Sequence, residues 1–189
     1  MRGLTKRCCN FLDGDCLLLD GVCPQYISRS LICRWFRRAV LPQQPKLEQA
    51  ILSPKKLRRC KVCGTGILAI AAKLVGAAEV AGTDIDPQAV EAAGDNALMN
   101  HVEAKFYLPD DMPEGTYDIV VANILANPLK LLAPALLGRV KQGGALVLSG
   151  VLAKQAEEVI AAYQAIDPAV KLSVWRQEED WVCIAGRCA

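Results

Sequence analysis

The pattern of apolar and polar positions divides this chain at about residue 63. Downstream, short apolar runs alternate with amphipathic ones. Gly64-Thr65-Gly66 opens an apolar helical run over residues 67–75, which Gly76 stops. Residues 79–83 lie between turn residues and read as a strand. Asp86 is placed to cap a second helix with Pro87 at its first position. That helix should run to about Asn100, with Val90, Ala93, Ala97 and Leu98 on one face. A short strand over 104–108 and a polar turn over 110–115 follow. Residues 117–122 are continuously apolar after Asp118, as in a strand buried on both faces of a parallel sheet. The pattern then predicts a helix over about 128–140, a turn at Gly143-Gly144, a strand over 145–149 and a helix over about 153–165. Strands over 171–176 and 181–185 close the chain and should pair antiparallel across an acidic turn.

Strand–helix alternation with loops this short predicts an α/β fold: a doubly wound, mostly parallel sheet with right-handed crossovers and an antiparallel C-terminal strand pair. Ligands of such sheets bind at the carboxyl ends of the strands, near the point where strand order reverses. No apolar run is long enough to span a membrane, since Lys73 and Glu79 interrupt the most apolar one.

Charge sharpens the division. Residues 1–63 carry 13 Lys and Arg against 4 Asp and Glu, a net of +9, and the remainder carries a net of −7. Seven of the nine cysteines also precede residue 64. The overall net charge of +2 therefore averages two unlike segments. Residues 1–62 show no sustained helical or strand period. Four readings stand for them: a poorly ordered tail, an out-of-frame translation joined to an in-frame remnant, an organelle-targeting leader, or a basic arm for RNA. A small cysteine-rich zinc or nucleic-acid module is the competing function for this part of the chain.

The residues that could carry chemistry lie at the predicted strand ends. Glycines at 64 and 66, between a strand and a helix, let backbone approach a ligand in front of the helix's free N–H groups. Asp84 follows Gly66 by 18 residues and ends the next strand, where a carboxylate can accept both hydroxyls of a ribose. Asn123 follows the buried strand. There a side-chain carbonyl could hold an amine by its N–H groups and aim the nitrogen lone pair, or merely bond its own turn. His101, the only histidine, reads as a surface or capping residue at a helix end, which disfavours histidine-dependent hydrolysis and multi-histidine metal sites. Cys60-Lys61-Val62-Cys63 has metal-ligand spacing but no second pair, so no metal is assigned.

Several blocks in this order resemble the bacterial ribosomal protein L11 methyltransferase family: Gly64-Thr65-Gly66-Ile67-Leu68-Ala69, Gly82-Thr83-Asp84-Ile85-Asp86-Pro87, Val120-Val121-Ala122-Asn123-Ile124-Leu125-Ala126 and Leu148-Ser149-Gly150-Val151-Leu152. The resemblance covers about residues 63–189 and implies a methyltransferase catalytic domain over that span, with 1–62 unassigned. It implies S-adenosylmethionine as cofactor, held by Gly64, Thr65, Gly66, Asp84, Ile85 and Asn123, with Asn123 beside the transferred methyl. The implied reaction is methylation of lysine or α-amino groups of the ribosomal protein by a cytoplasmic monomer with no DNA or membrane partner. Two departures stand out. Cys60 occupies the place of the family's strand-end Asp, and Val62 that of its first glycine. With Arg58, Arg59 and Lys61 beside them, these residues predict that the family's central first strand is lost and the enzyme impaired. The alternative is an inactive remnant or a nucleoside-binding module.

Overall fold

In the computed structural model, the backbone is described for residues 59–63 and the full residues for 66–74 and 76–188. The four readings of the N-terminal segment, and the ligand roles of Gly64 and Thr65, lie outside the described residues.

Among the described residues, seven strands form one sheet: β1 (Arg59–Cys63), β2 (Glu79–Thr83), β3 (Lys105–Tyr107), β4 (Tyr117–Asn123), β5 (Val140–Leu152), β6 (Lys171–Glu178) and β7 (Trp181–Arg187). Their order is β3-β2-β1-β4-β5-β7-β6. Neighbours are parallel up to β5, and β7 runs antiparallel to both β5 and β6. This is the doubly wound sheet with an antiparallel end that the alternation predicts.

The expectation of a lost first strand is corrected. β1 forms at the centre of the sheet, in register with β2 on one side and β4 on the other. Its backbone hydrogen bonds come from two neighbouring ladders, and a ladder is made by the main chain whatever the side chains are.

Helix α1 (Ile67–Leu74) follows β1, and its alanines favour the helical state. It ends in a two-bond C-terminal lock: Ala77 N–H donates to Ala72 at 3.0 Å, and Gly76, at φ +101°, donates to Lys73 at 3.0 Å. Helix α2 (Pro87–Met99) starts as its residues dictate, with the Asp86 carboxylate accepting Gln88 N–H at 2.9 Å. It ends in the same lock. Val102 N–H donates to Ala97, and His101, at φ 54°, donates to Leu98. His101 is thus the exposed residue just past the C-cap of α2, in the left-handed conformation that closes the helix. Leu98 departs from the expected buried face and is 75% exposed. It lies one residue past the buried Ala97, a turn of about 100° around the axis.

The single helix expected over 128–140 is two short ones, α3 (Ala126–Leu131) and α4 (Ala133–Leu137). Pro134 has no N–H to bond the carbonyl four residues back, so the helical ladder is interrupted and a new helix starts after Leu132 with Pro134 in its first turn. β5 is longer than the expected 145–149. Its partner shifts from Tyr117↔Val140 to Ile119↔Ala145, so Gly143-Gly144 is a bulge within the strand. Main-chain bonds from Gly143 N–H to Cys188 and from Cys188 N–H to Gly144 tie the bulge to the chain end. A 3₁₀ turn (Ala153–Gln155) leads into α5 (Ala156–Ile166).

Alternation along β4, β5 and β7 sorts the core into two layers. Val120, Ala122, Leu146, Leu148, Val182 and Ile184 meet α3, α4 and α5. Ile119, Val121, Ala145, Val147 and Ala185 share the other layer with the alanines of α1.

Candidate active site

Strand order reverses at β1: the chain leaves β1 toward β2 and β3, then crosses back to place β4 on the other side. The carboxyl ends there are aligned. Cys63 pairs with Thr83 on β2 and with Ala122 on β4. Asp84 and Asn123 are each the next residue past that row. They stand two strands apart, on either side of the carboxyl end of β1, about 10 Å from one another at ordinary strand spacing.

Asp84 continues the sheet edge by donating its N–H to Tyr107 at 3.3 Å. One carboxylate oxygen, Oδ1, accepts the N–H of Asp86 at 3.1 Å. This turn fixes the carboxylate at the mouth of β2, and the residue remains partly exposed. The neighbouring Asp86 carries the helix cap, so capping does not account for Asp84. Ile85 projects into solvent with 84% of its surface exposed, an apolar side chain held beside Asp84 with no core to pack on. Before Asp84, the Thr83 hydroxyl is buried and, among the described residues, has no hydrogen-bond partner.

Gly66 sits at the start of α1, where its carbonyl accepts the N–H of Ile70 at 2.9 Å. Its φ is +83°, and a Cβ there would lie 2.8 Å from the Cβ of Ala93 on α2. Glycine is required at this point by both conformation and space. The contact brings α1 and α2 together and sets where the first turn of α1, with its N–H groups lacking intrahelical acceptors, meets the strand ends.

Asn123 closes β4, half-buried and paired in register with the buried Ser149 on β5. The chain then passes through Ile124 and the exposed Leu125, whose carbonyl accepts the first bond of α3 from Leu129 at 3.1 Å. Tyr163 on α5, fully buried, donates its hydroxyl to the Leu129 carbonyl at 2.9 Å. Sequence reasoning assigned Tyr163 nothing. Its signal was legible only as an aromatic on the inner face of a helix.

The structure thus brings Gly66, Asp84, Ile85 and Asn123 to the same edge of the sheet. Among the described residues no group of three or more His, Cys, Asp or Glu could hold a metal ion. Burial pushes the Cys183 thiol up to about 12, against a smaller opposing pull from Arg176. Burial, and then Asp167, also raise Cys188. Both thiols stay protonated near neutral pH and make poor nucleophiles. Among the described residues, no helix is long and apolar enough to cross a membrane.

Comparison with known proteins adds to this geometry. Residues 56–189 match the family model described as ribosomal protein L11 methyltransferase (PrmA). Residues 1–54 match a model described as cysteine-rich VLP. The ribosomal protein L11 methyltransferase of Ralstonia pickettii (strain 12J) is 63% identical over 124 residues, 66% of this chain and 41% of the relative. That of Burkholderia lata is 50% identical over 156 residues, 82% of this chain and 47% of the relative. The chain therefore spans less than half the length of these curated relatives. Among solved structures, the ribosomal protein L11 methylase of Lactobacillus delbrueckii subsp. bulgaricus superposes with a TM-score of 0.62 at 29% identity, covering 75% of this chain and 78% of that one. The T. thermophilus 16S rRNA N2 G1207 methyltransferase, in complex with AdoMet and guanosine, shares the fold with a TM-score of 0.61 at 17% identity, covering 82% and 42%. The match over residues 56–189, more than half of its length, makes this chain a member of the ribosomal protein L11 methyltransferase family.

Proposed function

We propose that β1 and the residues after it, 59–189, form the catalytic domain of an S-adenosylmethionine-dependent protein N-methyltransferase acting on lysine or α-amino groups of ribosomal protein L11. The proposed protein is a cytoplasmic monomer that engages no DNA. The carrying observation is the register at the reversal of strand order, which sets Asp84 and Asn123 on either side of the carboxyl end of β1. The relatives' name supports the substrate.

The residues present fit the cofactor. Asp84 offers a carboxylate, steadied by the Asp86 N–H, to the two hydroxyls of a ribose. Ile85 offers an exposed apolar surface beside it for a flat base. Gly66, with Gly64 and Thr65 ahead of it in sequence, brings the first turn of α1 to the same edge. When bound, the cofactor supplies a methyl group activated on a sulfonium centre. Asn123 holds the acceptor: its side-chain carbonyl takes an N–H of the amine and turns the nitrogen lone pair toward the methyl. A lysine side chain arrives as an ammonium, with an ordinary pKa of about 10.4, and must lose a proton before it can attack. Fixing the amine in line and stripping its water are the contributions this site can make.

Transfer of labelled methyl from S-adenosylmethionine to purified L11 tests the reading. The expected result is incorporation by the unmodified chain and a loss of roughly 100-fold in Asn123→Ala, the scale on which removing one aligned polar group slows a reaction. Cofactor binding without any transfer would instead make the chain a nucleoside-binding module. Cys60 and Val62, at the places of the family's Asp and glycine, bear on the cofactor itself: Cys60→Asp with Val62→Gly should strengthen its binding.

A further inference from the structure

Gly150 lies near the end of β5, one residue past Ser149, the register partner of Asn123. The pairing of β5 with β7 shifts between Leu148 and Val151, so Gly150 sits on a bulge. Its φ is +82°. A Cβ at this position would lie 2.5 Å from the carbonyl oxygen of Ile124, 2.9 Å from its carbonyl carbon and 3.2 Å from the side-chain oxygen of Asn123. Positive φ alone would admit an asparagine. The close approach admits no side chain, because the first atoms met are backbone.

The segment it touches cannot withdraw easily. Leu125 is bonded to Leu129 at the start of α3, and Leu129 is in turn held by the Tyr163 hydroxyl from α5. Ala126 and Leu129 are buried in the core beneath. The Asn123–Ile124–Leu125 segment is therefore set between the bare Cα of Gly150 and an anchored helix.

We infer that Gly150 is a positioning residue for methyl transfer: its missing side chain fixes the Ile124–Leu125 peptide and the Asn123 carboxamide in the place from which the amine is aligned. This rests on the role given to Asn123 above. It concerns the β5 side of the site, away from Asp84 and the β2 edge.

The test uses the full chain carrying Gly150→Ala and Gly150→Asn. In both, turnover with L11 should fall about 100-fold, the cost of roughly 1 Å of misplacement at a reacting centre. The affinity for S-adenosylmethionine should stay within about threefold, because Asp84 is untouched. The Asn123 side-chain NH₂ resonance, identified by its absence in Asn123→Ala, should move in both variants. Recovery of turnover in Gly150→Asn would overturn the proposal, since that would make backbone conformation the whole requirement. An unmoved Asn123 resonance in either variant would overturn it too. If the unmodified chain transfers no methyl, the functional reading fails on its own and the resonance still decides the placement. Should neither variant fold, nuclear Overhauser contacts between the Gly150 α-protons and the Asn123 carboxamide in the unmodified chain decide it, and their absence overturns the proposal.

Discussion

The two faces of the sheet are built from different materials. The face toward α3, α4 and α5 is filled by Leu129, Leu146, Leu148, Ile184, Val159 and Tyr163, large side chains with almost no exposure. The face toward α1 is filled largely by alanine, at positions 69, 71, 72, 77, 145 and 185. Large residues bury more apolar area each and carry most of the stability. Small residues bury less but let main chains come close, as at Gly66 against Ala93. The difference divides the labour. The large-residue face anchors the helix behind Asn123, and the small-residue face brings the start of α1 to the strand ends. Stability and ligand geometry should therefore respond to different substitutions.

The largest expected effect on folding comes from emptying the first face. Leu146→Ala removes a fully buried side chain and should cost about 2–5 kcal/mol in denaturant unfolding. S-adenosylmethionine affinity should change little in whatever fraction remains folded. A parallel loss of affinity would break the division. Filling the second face should do the reverse. Ala93→Leu forces three more carbons toward the Cα of Gly66 and should cost about 1–3 kcal/mol, with a clear loss of cofactor affinity by titration. Unchanged affinity there would mean that the Gly66 contact is packing alone. Smaller still is Tyr163→Phe, which keeps the ring and leaves the Leu129 carbonyl bare. About 1–2 kcal/mol should be lost in unfolding, with slower methyl transfer and unaltered cofactor affinity.

Local chemistry carried much of this in the sequence. Asp86-Pro87 announces the start of α2, Gly76 the end of α1, and the run through Val120 and Val121 a strand covered on both sides. Asp84 was separable from its capping neighbour because Asp86 already serves as the cap. What escaped depends on partners distant in sequence. β1 could not be read from charged residues, because its place is set by ladders from β2 and β4. The bulge at Gly143-Gly144 depends on Tyr117 and Cys188, far along the chain. The break before Pro134 was legible in principle from proline chemistry alone. Gly150 belongs to the block Leu148-Ser149-Gly150-Val151-Leu152, yet what its bare Cα meets is visible only when β5 is laid beside Asn123.

The account rests on a working cofactor site at the ends of β1, β2 and β4, and calorimetric titration with S-adenosylmethionine tests it most directly. The predicted result is saturable one-site binding by the unmodified chain, weakened at least tenfold in Asp84→Ala, as expected when hydrogen bonds to a charged group worth about 1.5–3 kcal/mol are removed. A folded chain that takes up no heat with the cofactor, or one that binds equally well without the Asp84 carboxylate, would contradict it.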